Sequence, residues 1–350
     1  MTNNTPDGIL YLRREDVEMA CKDVDSVAAI REVFLLHGTG QTILPDEAYL
    51  GWENQLGEQV RNLNMPGYVG GSLKVAGTKI INGNIANTSR GLPRASGITL
   101  IYDDISARIV CIMEGAYISS LRTASVSMLA VETLQGREIQ SVGVIGAGVL
   151  ARAHIELMIK RLPHLQLLQV FDADRSRVHA LQGELTSLLE GHHIEFRVST
   201  TAEEAIRPAQ LIIPATTTTT GYIPFAWLQP GSILVNVSLD DPLPDVVFQA
   251  DKIVVDDWNL VKNDPRRLLG RMYRQGQLLG PDDLGEAIPG ERRRVDAQLG
   301  EIVAGTKAGR QNLDEIMLVN PFGLAIEDVA LASRVYQTAR QLGYGLWLER

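Results

Sequence analysis

The chain has 350 residues, of which 45% are hydrophobic and 21% are charged, and it carries a formal net charge of −9. This composition excludes an intrinsically disordered chain, because disorder requires fewer apolar residues and a larger charge excess. The acidic balance argues against a dedicated nucleic-acid-binding protein, and a chain of this length is expected to form about two domains.

The first 130 residues combine short strands, turns and helices. Periodicity and turn residues predict strand 9–12, helix 16–36, strands 70–81, 96–102 and 107–114, and helix 117–134. A stretch rich in Gly, Asn, Ser and Pro, residues 82–94, separates two of these strands.

Residues 131–316 have a different character, because strands and helices alternate regularly. The predicted elements are strands 141–145, 167–171, 195–198, 211–213, 232–237 and 252–255, with a helix at 149–161 and helical patterns between the later strands. This alternation predicts a parallel sheet with helices on both faces. Residues 261–291 are expected to be irregular, and a last helix of this region is predicted at 292–304.

The tail begins with a short apolar run at 317–319 and a turn at 320–323. A strongly apolar helix is predicted over 324–342. Such a helix would expose a wide apolar face unless it packs against another part of the chain. We therefore expect it to return to the first 130 residues, which would make that domain discontinuous.

Cysteines, histidines and apolar runs exclude further classes of protein. Cys21 and Cys111 are the only thiols, so no disulfide framework is expected, and no histidine accompanies them at a metal-binding spacing. No run reaches the roughly 18 apolar residues that a membrane span requires, and the first residues lack a signal-peptide core. We expect a cytoplasmic protein without a metal site, a membrane segment or a nucleic-acid partner.

The sharpest local motif follows the predicted strand 141–145. It reads Gly146-Ala147-Gly148-Val149-Leu150-Ala151 and has the G-x-G-x-x-G/A form that joins a strand to a helix in dinucleotide-binding folds. The glycines permit the tight turn and the approach of a pyrophosphate, which the helix N-terminus stabilises. Asp172 ends the next strand, where a carboxylate accepts from the ribose hydroxyls and repels a 2′-phosphate. The motif predicts a Rossmann domain that prefers NAD over NADP.

Three cations of the first region are candidates for substrate binding. Lys79 lies in a predicted strand between apolar residues, Arg122 lies in an otherwise apolar helix, and Arg61 precedes the turn region. Each one alone is typical of a solvated surface charge. Together they could hold the carboxylate of an amino acid, to which arginine offers a bidentate fork.

Two acids follow a strand of the second region. Asp240 and Asp241 come directly after the predicted strand 232–237, at the carboxyl edge of the sheet, where open α/β folds bind ligands. A carboxylate there could exchange protons with an amine or a water molecule, and the alternative is a turn or helix cap. Because the two residues are adjacent, the spacing does not distinguish them.

These motifs occur in an order that resembles the ornithine cyclodeaminase/μ-crystallin family. The matching segments are Gly77-Thr78-Lys79 with Asn82, Gly91-Leu92-Pro93, Leu121-Arg122-Thr123-Ala124, the Gly146 motif, Ala215-Thr216-Thr217, Asn236 to Asp241, and Gly323 with Glu327-Asp328. The resemblance spans about residues 8–340. It implies an α/β protein with a Rossmann NAD-binding domain (131–316) and an α+β domain for substrate binding and dimerisation, formed from both chain ends (1–130 and 317–350). It also implies a homodimer.

The resemblance further implies roles for individual residues. Lys79 matches a catalytic lysine that contacts the substrate carboxylate, Arg122 a carboxylate-binding arginine, and Arg61 a second substrate arginine. Asp241 matches the acid/base aspartate, with Asp240 left as the alternative. The implied cofactor contacts are Thr123, Gly146, Gly148, Val149, Leu150, Asp172, Thr216 and Ser238.

Within the family, segments 65–71, 92–96 and 237–241 resemble the 2,3-diaminopropionate branch. That branch implies oxidation of the secondary amine in N-((2S)-2-amino-2-carboxyethyl)-L-glutamate, with release of 2-oxoglutarate and L-2,3-diaminopropionate for siderophores or peptide natural products. Segment 239–244 departs from the Gly-Asp-x-Pro-Gly-Lys pattern of the cyclodeaminases, which argues against cyclisation. The alternatives are an imino-acid reductase or amino-acid dehydrogenase, an ornithine cyclodeaminase, and a non-catalytic, cofactor-binding crystallin-like protein.

Overall fold

The structure is a computed structural model that describes residues 7–350. Its strands are β1 (Gly8–Leu12), β2 (Thr42–Ile43), β3 (Ala48–Glu53), β4 (Gln59–Val69), β5 (Val75–Asn84), β6 (Ala95–Tyr102), β7 (Ile109–Glu114), β8 (Ser141–Ile145), β9 (Leu167–Phe171), β10 (Glu195–Val198), β11 (Leu211–Pro214), β12 (Ile233–Val235), β13 (Lys252–Val255), β14 (Leu278–Leu279), β15 (Arg293–Arg294), β16 (Ala297–Gln298), β17 (Met317–Asn320) and β18 (Leu346–Glu349). Its helices are α1 (Arg14–Cys21), α2 (Ser26–Gly38), α3 (Ala116–Leu134), α4 (Val149–Arg161), α5 (Arg175–Gly191), α6 (Ala202–Ile206), α7 (Pro244–Gln249), α8 (Trp258–Asn263), α9 (Leu268–Arg274), α10 (Leu299–Val303) and α11 (Ala325–Leu342).

The chain divides into two compact units. The terminal unit comprises Met1–Arg122 and Gly323–Arg350, and the central unit comprises Thr123–Phe322. The boundaries expected from the sequence are 130/131 and 316/317. Each unit contains its own large sheet. Among the described residues, no helix has both the length and the apolar character needed to cross a membrane.

The terminal unit is built on a mixed sheet with the strand order β18-β1-β7-β6-β5-β4-β2, and β3 pairs with β4. Strands β4 to β7 run antiparallel to one another, whereas β1 is parallel to β7. Helix α11 packs on one face of this sheet. Gly67 and Gly77 are partners across β4 and β5, and a Cβ atom on either would lie within 3.1 Å of α11 side chains (3.1 Å from Ile326 and 3.0 Å from Val329). The two glycines therefore let the helix approach the sheet.

Three expectations for the terminal unit are wrong in detail. The single helix over 16–36 is two helices, because the Asp25 side chain accepts a hydrogen bond from Ala28 N at 3.0 Å and starts α2 afresh. The strand expected at 70–81 begins only at Val75, because residues 70–74 form a turn in which Gly71 has φ +57°. The sequence pattern does not predict β4, which contains Pro66 and Gly67, residues that disfavour strands.

The central unit contains an all-parallel sheet with the order β10-β9-β8-β11-β12-β17-β13-β16. The chain moves outward from β8 to β9 and β10 on one side, and continues from β11 to β12 on the other. This is the Rossmann order, and it places a topological switch point between β8 and β11. The fold class expected from the sequence, a Rossmann domain plus an α+β domain formed from both chain ends, is confirmed.

The last helix expected in the central unit is wrong in its first half. Arg293–Arg294 and Ala297–Gln298 are strands, and α10 begins only at Leu299. Val295, Ala297 and Leu299 are all buried, so the apolar side chains alternate with a period of two, as in an extended chain. The segment expected to be irregular also contains a helix, α9.

Candidate active site

The glycine motif lies between β8 and α4, as the sequence predicts. Gly146 has φ +101°, and a Cβ atom there would lie 2.7 Å from the Ala215 carbonyl oxygen, so only glycine fits the turn. Gly148 is the N-cap residue of α4, and no described atom lies within 4 Å of the position that its Cβ would occupy. Val149 is 72% exposed, although it is apolar. The turn thus offers open space at a helix N-terminus, which suits a pyrophosphate.

Asp172 is tied to this turn by hydrogen bonds. It follows β9, and its Oδ2 accepts a hydrogen bond from Ala147 N at 2.8 Å, while Oδ1 accepts from Asp174 N at 2.9 Å. Its carboxylate is therefore held beside the glycine motif. A second carboxylate, Asp174, caps α5. Two acids at this point of the fold suit ribose hydroxyls and oppose a 2′-phosphate.

A buried histidine forms hydrogen bonds in the same region. His154 Nδ1 lies 2.7 Å from the Leu150 carbonyl oxygen and Nε2 lies 2.9 Å from Ser127 Oγ, which in turn lies 3.3 Å from the Thr123 carbonyl oxygen. Burial lowers the pKa of His154 to about 4, so it is neutral at pH 7. The ring links α3 to the first turn of α4, where Thr123 and Leu150 are predicted cofactor contacts.

Asp241 is the centre of a second hydrogen-bonded group in the central unit. Its Oδ1 accepts from Thr216 Oγ1 at 2.7 Å and from Tyr222 OH at 2.9 Å. Its carbonyl oxygen accepts from the backbone amides of Tyr222 and Ile223, each at 2.9 Å. Ser238 Oγ donates to the Pro214 carbonyl oxygen at 2.9 Å and accepts from Thr216 N at 3.3 Å. The loops after β11 and β12 are thereby joined at the carboxyl edge of the sheet.

The adjacent carboxylates differ in their electrostatics. Asp241 is fully buried, and burial raises its pKa although Thr216 and Tyr222 donate hydrogen bonds to its charged form and oppose the rise. Asp240 instead forms a bidentate pair with Arg271, with oxygen–nitrogen distances of 2.8 and 3.1 Å. A group that exchanges protons near neutral pH needs a raised pKa and no permanent cation partner. These partners favour Asp241 over Asp240 as an acid/base group.

Two of the three predicted cations lie close together in the terminal unit. Lys79 on β5 and Arg122 on α3 are both buried, and Asp328 joins them, with Oδ2 lying 2.7 Å from Lys79 Nζ and 3.2 Å from Arg122 Nε. Glu327 Oε2 lies 2.7 Å from Arg122 Nη1. Burial and the charge of Arg122 lower the pKa of Lys79, whereas Asp328 opposes this shift. The four side chains form a buried, charge-balanced cluster.

Sequence reasoning assigned no role to Glu327 and Asp328. Both lie in the first turn of α11 and are fully buried. The signal was present in the sequence, because two adjacent acids in an otherwise apolar helix must have buried cationic partners if that face of the helix is covered. Only the folded chain shows that these partners are Lys79 and Arg122, which lie more than 200 residues earlier in the sequence.

Arg61 lies elsewhere on the same sheet. It pairs with Gly83 across β4 and β5, whereas Lys79 pairs with Met65. Lys79 and Gly83 are four residues apart on β5, which corresponds to ~13 Å along the strand. Arg61 therefore does not belong to the Lys79–Arg122 cluster, although its strand position places it on the same face of the sheet.

The sequence is similar to a known family and to a curated relative. The sequence model of the ornithine cyclodeaminase/mu-crystallin family matches residues 11–343. A curated relative, N-((2S)-2-amino-2-carboxyethyl)-L-glutamate dehydrogenase of Staphylococcus aureus (strain NCTC 8325 / PS 47), is 30% identical over 344 residues, which cover 97% of this chain and 98% of the relative.

Solved structures agree with this match. The crystal structure of CmnK is 36% identical with a TM-score of 0.88, covering 98% of this chain and 99% of CmnK. Thermococcus litoralis Δ1-pyrroline-2-carboxylate reductase in complex with NADH and L-proline is 26% identical with a TM-score of 0.83, and the match covers 97% and 99% of the two chains. An archaeal alanine dehydrogenase dimer with bound NAD is 25% identical with a TM-score of 0.82 over the same shares. Since the family model spans nearly the whole sequence, the chain belongs to the ornithine cyclodeaminase/mu-crystallin family.

Proposed function

We propose that this NAD-dependent oxidoreductase of CH–NH donors oxidises the secondary amine of N-((2S)-2-amino-2-carboxyethyl)-L-glutamate. The observation that supports an acid/base role is that Asp241 is buried, with a raised pKa, at the carboxyl edge of the Rossmann sheet. The choice of substrate is supported by the S. aureus relative, which spans almost the whole chain. The departure of segment 239–244 from the cyclodeaminase pattern supports oxidation and hydrolysis over cyclisation.

The residues present fit NAD. Gly146, Gly148, Val149 and Leu150 would hold the pyrophosphate at the N-terminus of α4, and Asp172 would accept hydrogen bonds from the ribose. Additional contacts are proposed for Thr123, Thr216 and Ser238. When bound, NAD⁺ supplies the hydride acceptor for the Cα–H bond of the amine.

The chain's own residues bind the substrate and move its protons. Lys79 and Arg122 bind a carboxylate of the substrate, and Arg61 contributes a further cation. Asp241 accepts a proton from the protonated amine, so that the nitrogen lone pair can form the C=N bond as the Cα hydride leaves, and it then releases this proton to solvent. The deprotonated Asp241 next accepts a proton from the water that attacks the C=N carbon. It returns a proton to the departing nitrogen, so 2-oxoglutarate and L-2,3-diaminopropionate leave with all atoms accounted for. The product amine would feed siderophore or peptide natural-product synthesis.

The direct test is formation of NADH by the full chain with N-((2S)-2-amino-2-carboxyethyl)-L-glutamate and NAD⁺, together with detection of 2-oxoglutarate. We expect turnover with this substrate, little with L-ornithine, and weaker activity when NADP⁺ replaces NAD⁺. Efficient turnover of L-ornithine without turnover of the secondary amine would overturn the proposal.

A second candidate function is reduction of a cyclic imine or oxidation of a simple amino acid. It is favoured by the likeness to the pyrroline-carboxylate reductase and the alanine dehydrogenase, each aligned over 97% of this chain. Assays of Δ1-pyrroline-2-carboxylate with NADH and of L-alanine with NAD⁺ separate it from the first proposal. A crystallin-like protein without turnover would bind NAD and fail every assay.

We also propose a cytoplasmic homodimer formed through the terminal unit. The archaeal alanine dehydrogenase supports the assembly, because it is a dimer. The terminal unit supports it as well, because β3 exposes Tyr49, Leu50 and Trp52 by 57%, 59% and 45%. An apolar patch of this kind is typical of a protein–protein interface.

A further inference from the structure

A serine–histidine pair inside the central unit takes no part in the proposed chemistry. Ser127 on α3 and His154 on α4 are each 1% exposed, and His154 Nε2 lies 2.9 Å from Ser127 Oγ. The other five histidines of the chain are half-buried or exposed. Because a polar ring in the interior is costly unless its nitrogen atoms have hydrogen-bond partners, the two contacts of this ring define what it does.

The partners of His154 fix the positions of its hydrogens. Nδ1 lies 2.7 Å from the Leu150 carbonyl oxygen, which can only accept, so Nδ1 carries the ring hydrogen. Burial lowers the pKa of His154 to about 4, so the ring is neutral at pH 7 and Nε2 accepts from the Ser127 hydroxyl. The single hydroxyl hydrogen goes to Nε2, because the Thr123 carbonyl oxygen lies farther away, at 3.3 Å.

This chain of hydrogen bonds joins two helices. Leu150 lies in the first turn of α4, whose N-cap residue is Gly148, and Ser127 lies one helical turn after Thr123 on α3. The hydrogen bonds from Ser127 to His154 and from His154 to Leu150 therefore hold the first turn of α4 against α3. Thr123 and Leu150, the residues at the two ends, are both proposed cofactor contacts.

The glycine turn itself has few side-chain contacts. No described atom lies within 4 Å of the position that a Cβ atom on Gly148 would occupy, and Val149 is exposed. Asp172 holds the turn on the β9 side, because it accepts a hydrogen bond from the turn backbone at 2.8 Å. The Ser127–His154 pair supplies a second attachment, on the α3 side. A helix N-terminus binds a phosphate group through backbone amides that point at one place, so the position of this first turn determines the affinity.

We infer that Ser127 and His154 are positioning residues for NAD, which hold the first turn of α4 in the geometry that binds the pyrophosphate. This inference rests on the proposed cofactor contacts, because the pair acts through Leu150 and through the α3 turn that begins at Thr123. It does not depend on which amine is the substrate.

The test measures binding of the cofactor and its fragments to the full chain. Ser127→Ala removes the hydroxyl, and His154→Asn keeps an amide that can donate to the Leu150 carbonyl oxygen but is too short to reach Ser127. For NAD⁺ and ADP-ribose, which contain the pyrophosphate, we expect each variant to raise the calorimetric Kd about 5- to 10-fold, as for loss of one hydrogen bond. The Kd of adenosine, from displacement of NADH fluorescence, should change by less than about twofold. Combining the two substitutions should raise the Kd of NAD⁺ no further than either alone, since both remove the same contact.

Two matched controls have similar local contacts away from the glycine turn. Thr133 on α3 donates to the carbonyl oxygen four residues earlier at 2.6 Å, and His192 after α5 has Nδ1 2.9 Å from the carbonyl oxygen four residues earlier. Thr133→Val and His192→Asn should leave the Kd of all three ligands unchanged. Denaturant titration checks that every variant folds.

The outcomes separate this inference from a structural role and from the proposed function. Equal losses of affinity for adenosine and ADP-ribose would show that the pair only supports the fold, and unchanged NAD⁺ binding in both variants would also overturn the inference. If the variants lose affinity for ADP-ribose selectively and the wild type does not oxidise the secondary amine, the inference stands and the proposed substrate fails. If the amine is oxidised and both variants bind NAD⁺ as the wild type does, the proposed function stands and the inference fails.

Discussion

At the scale of single residues, partners separate two carboxylates that adjacency in the sequence leaves equivalent. Asp240 is paired with Arg271, whereas the Asp241 carboxylate accepts hydrogen bonds from the hydroxyl groups of Thr216 and Tyr222, both on one of its oxygens. Arg271 contacts both oxygens of Asp240, so this carboxylate already has a cation partner and is less available to a ligand. Burial disfavours the charged form of Asp241 and raises its pKa.

Replacing Asp241 tests this distinction. Asp241→Asn keeps the shape and cannot accept a proton, so we expect kcat to fall about 10²- to 10⁴-fold, as for loss of general acid–base catalysis. NAD binding, measured by calorimetry, should be largely retained. Asp240→Asn is the matched control and should keep most of the activity. If Asp241→Asn remains active and Asp240→Asn does not, Asp240 is the acid/base residue.

Tyr222 provides a second test at this scale. Its hydroxyl donates to Asp241 Oδ1 and so stabilises the charged carboxylate. Removing this donor in Tyr222→Phe should raise the pKa of Asp241 further. Because the deprotonated form is the base, the acidic limb of the pH profile of kcat/KM should move to higher pH, by on the order of one unit.

The control for this prediction is Tyr273→Phe. Tyr273 packs edge-on against Trp258 with a centroid distance of 5.3 Å, and it is not proposed to contact Asp241. The Tyr273→Phe substitution should leave the pH profile of kcat/KM unchanged. A Tyr222→Phe enzyme that loses activity equally at every pH would show that the tyrosine only supports the fold.

At the scale of elements, the local sequence pattern sets the bounds of some helices and strands, and tertiary packing sets those of others. β8, α4 and β9 have the bounds that the sequence predicts, because their period and the glycines between them are local signals. The elements that the sequence pattern does not predict depend on contacts with distant residues. β4 forms despite Pro66 and Gly67 because it pairs along its length with β5, and residues 293–298 are extended because their chain pairs with β14 and β13.

The contact between α11 and the sheet gives a prediction for elements. A Cβ atom on Gly77 would lie 2.5 Å from the Leu100 carbonyl oxygen and 3.0 Å from Val329 on α11. Gly77→Ala should therefore lower the free energy of unfolding by about 1–3 kcal/mol, the usual cost of overpacking, as measured by denaturant titration. It should also disturb Lys79, whose partner Asp328 lies on the same helix.

Gly183→Ala is the matched control for that substitution. Gly183 lies inside α5, and no described atom is within 4 Å of its Cβ position. Alanine there should raise the free energy of unfolding by about 0.5–1 kcal/mol, because glycine is unfavourable inside a helix. Equal stability changes for the two variants would contradict close packing of α11 on Gly77.

At the scale of the whole molecule, net charge says little about the ligand. The chain carries −9, yet the buried Lys79 and Arg122 are each paired with an acid of α11, so their cluster is locally charge-balanced. Local fields at such positions, not the total charge, decide which small molecule is attracted. An acidic protein can therefore bind a substrate with several carboxylates.

The homodimer is the prediction that belongs to this scale. Sedimentation equilibrium of the full chain should give a mass of twice the 38.4 kDa of one chain. Trp52→Glu, on the exposed strand β3, should weaken the assembly, because a charge in an apolar interface is costly to bury. The exposed Arg14→Gln variant should stay dimeric. A monomer at all concentrations would contradict the proposed assembly.

The fold class, the position of the dinucleotide motif and the family could be predicted from the sequence, because each depends on residue types at short spacing or on motifs in a set order. It also supplied Lys79, Arg122 and Asp241 as candidates. The folded chain was needed to show that Glu327 and Asp328 pair with the two cations, and that Arg271 binds Asp240 and not Asp241. The physical reason is that the pKa and charge balance of a buried group depend on the partners that folding brings from distant parts of the chain.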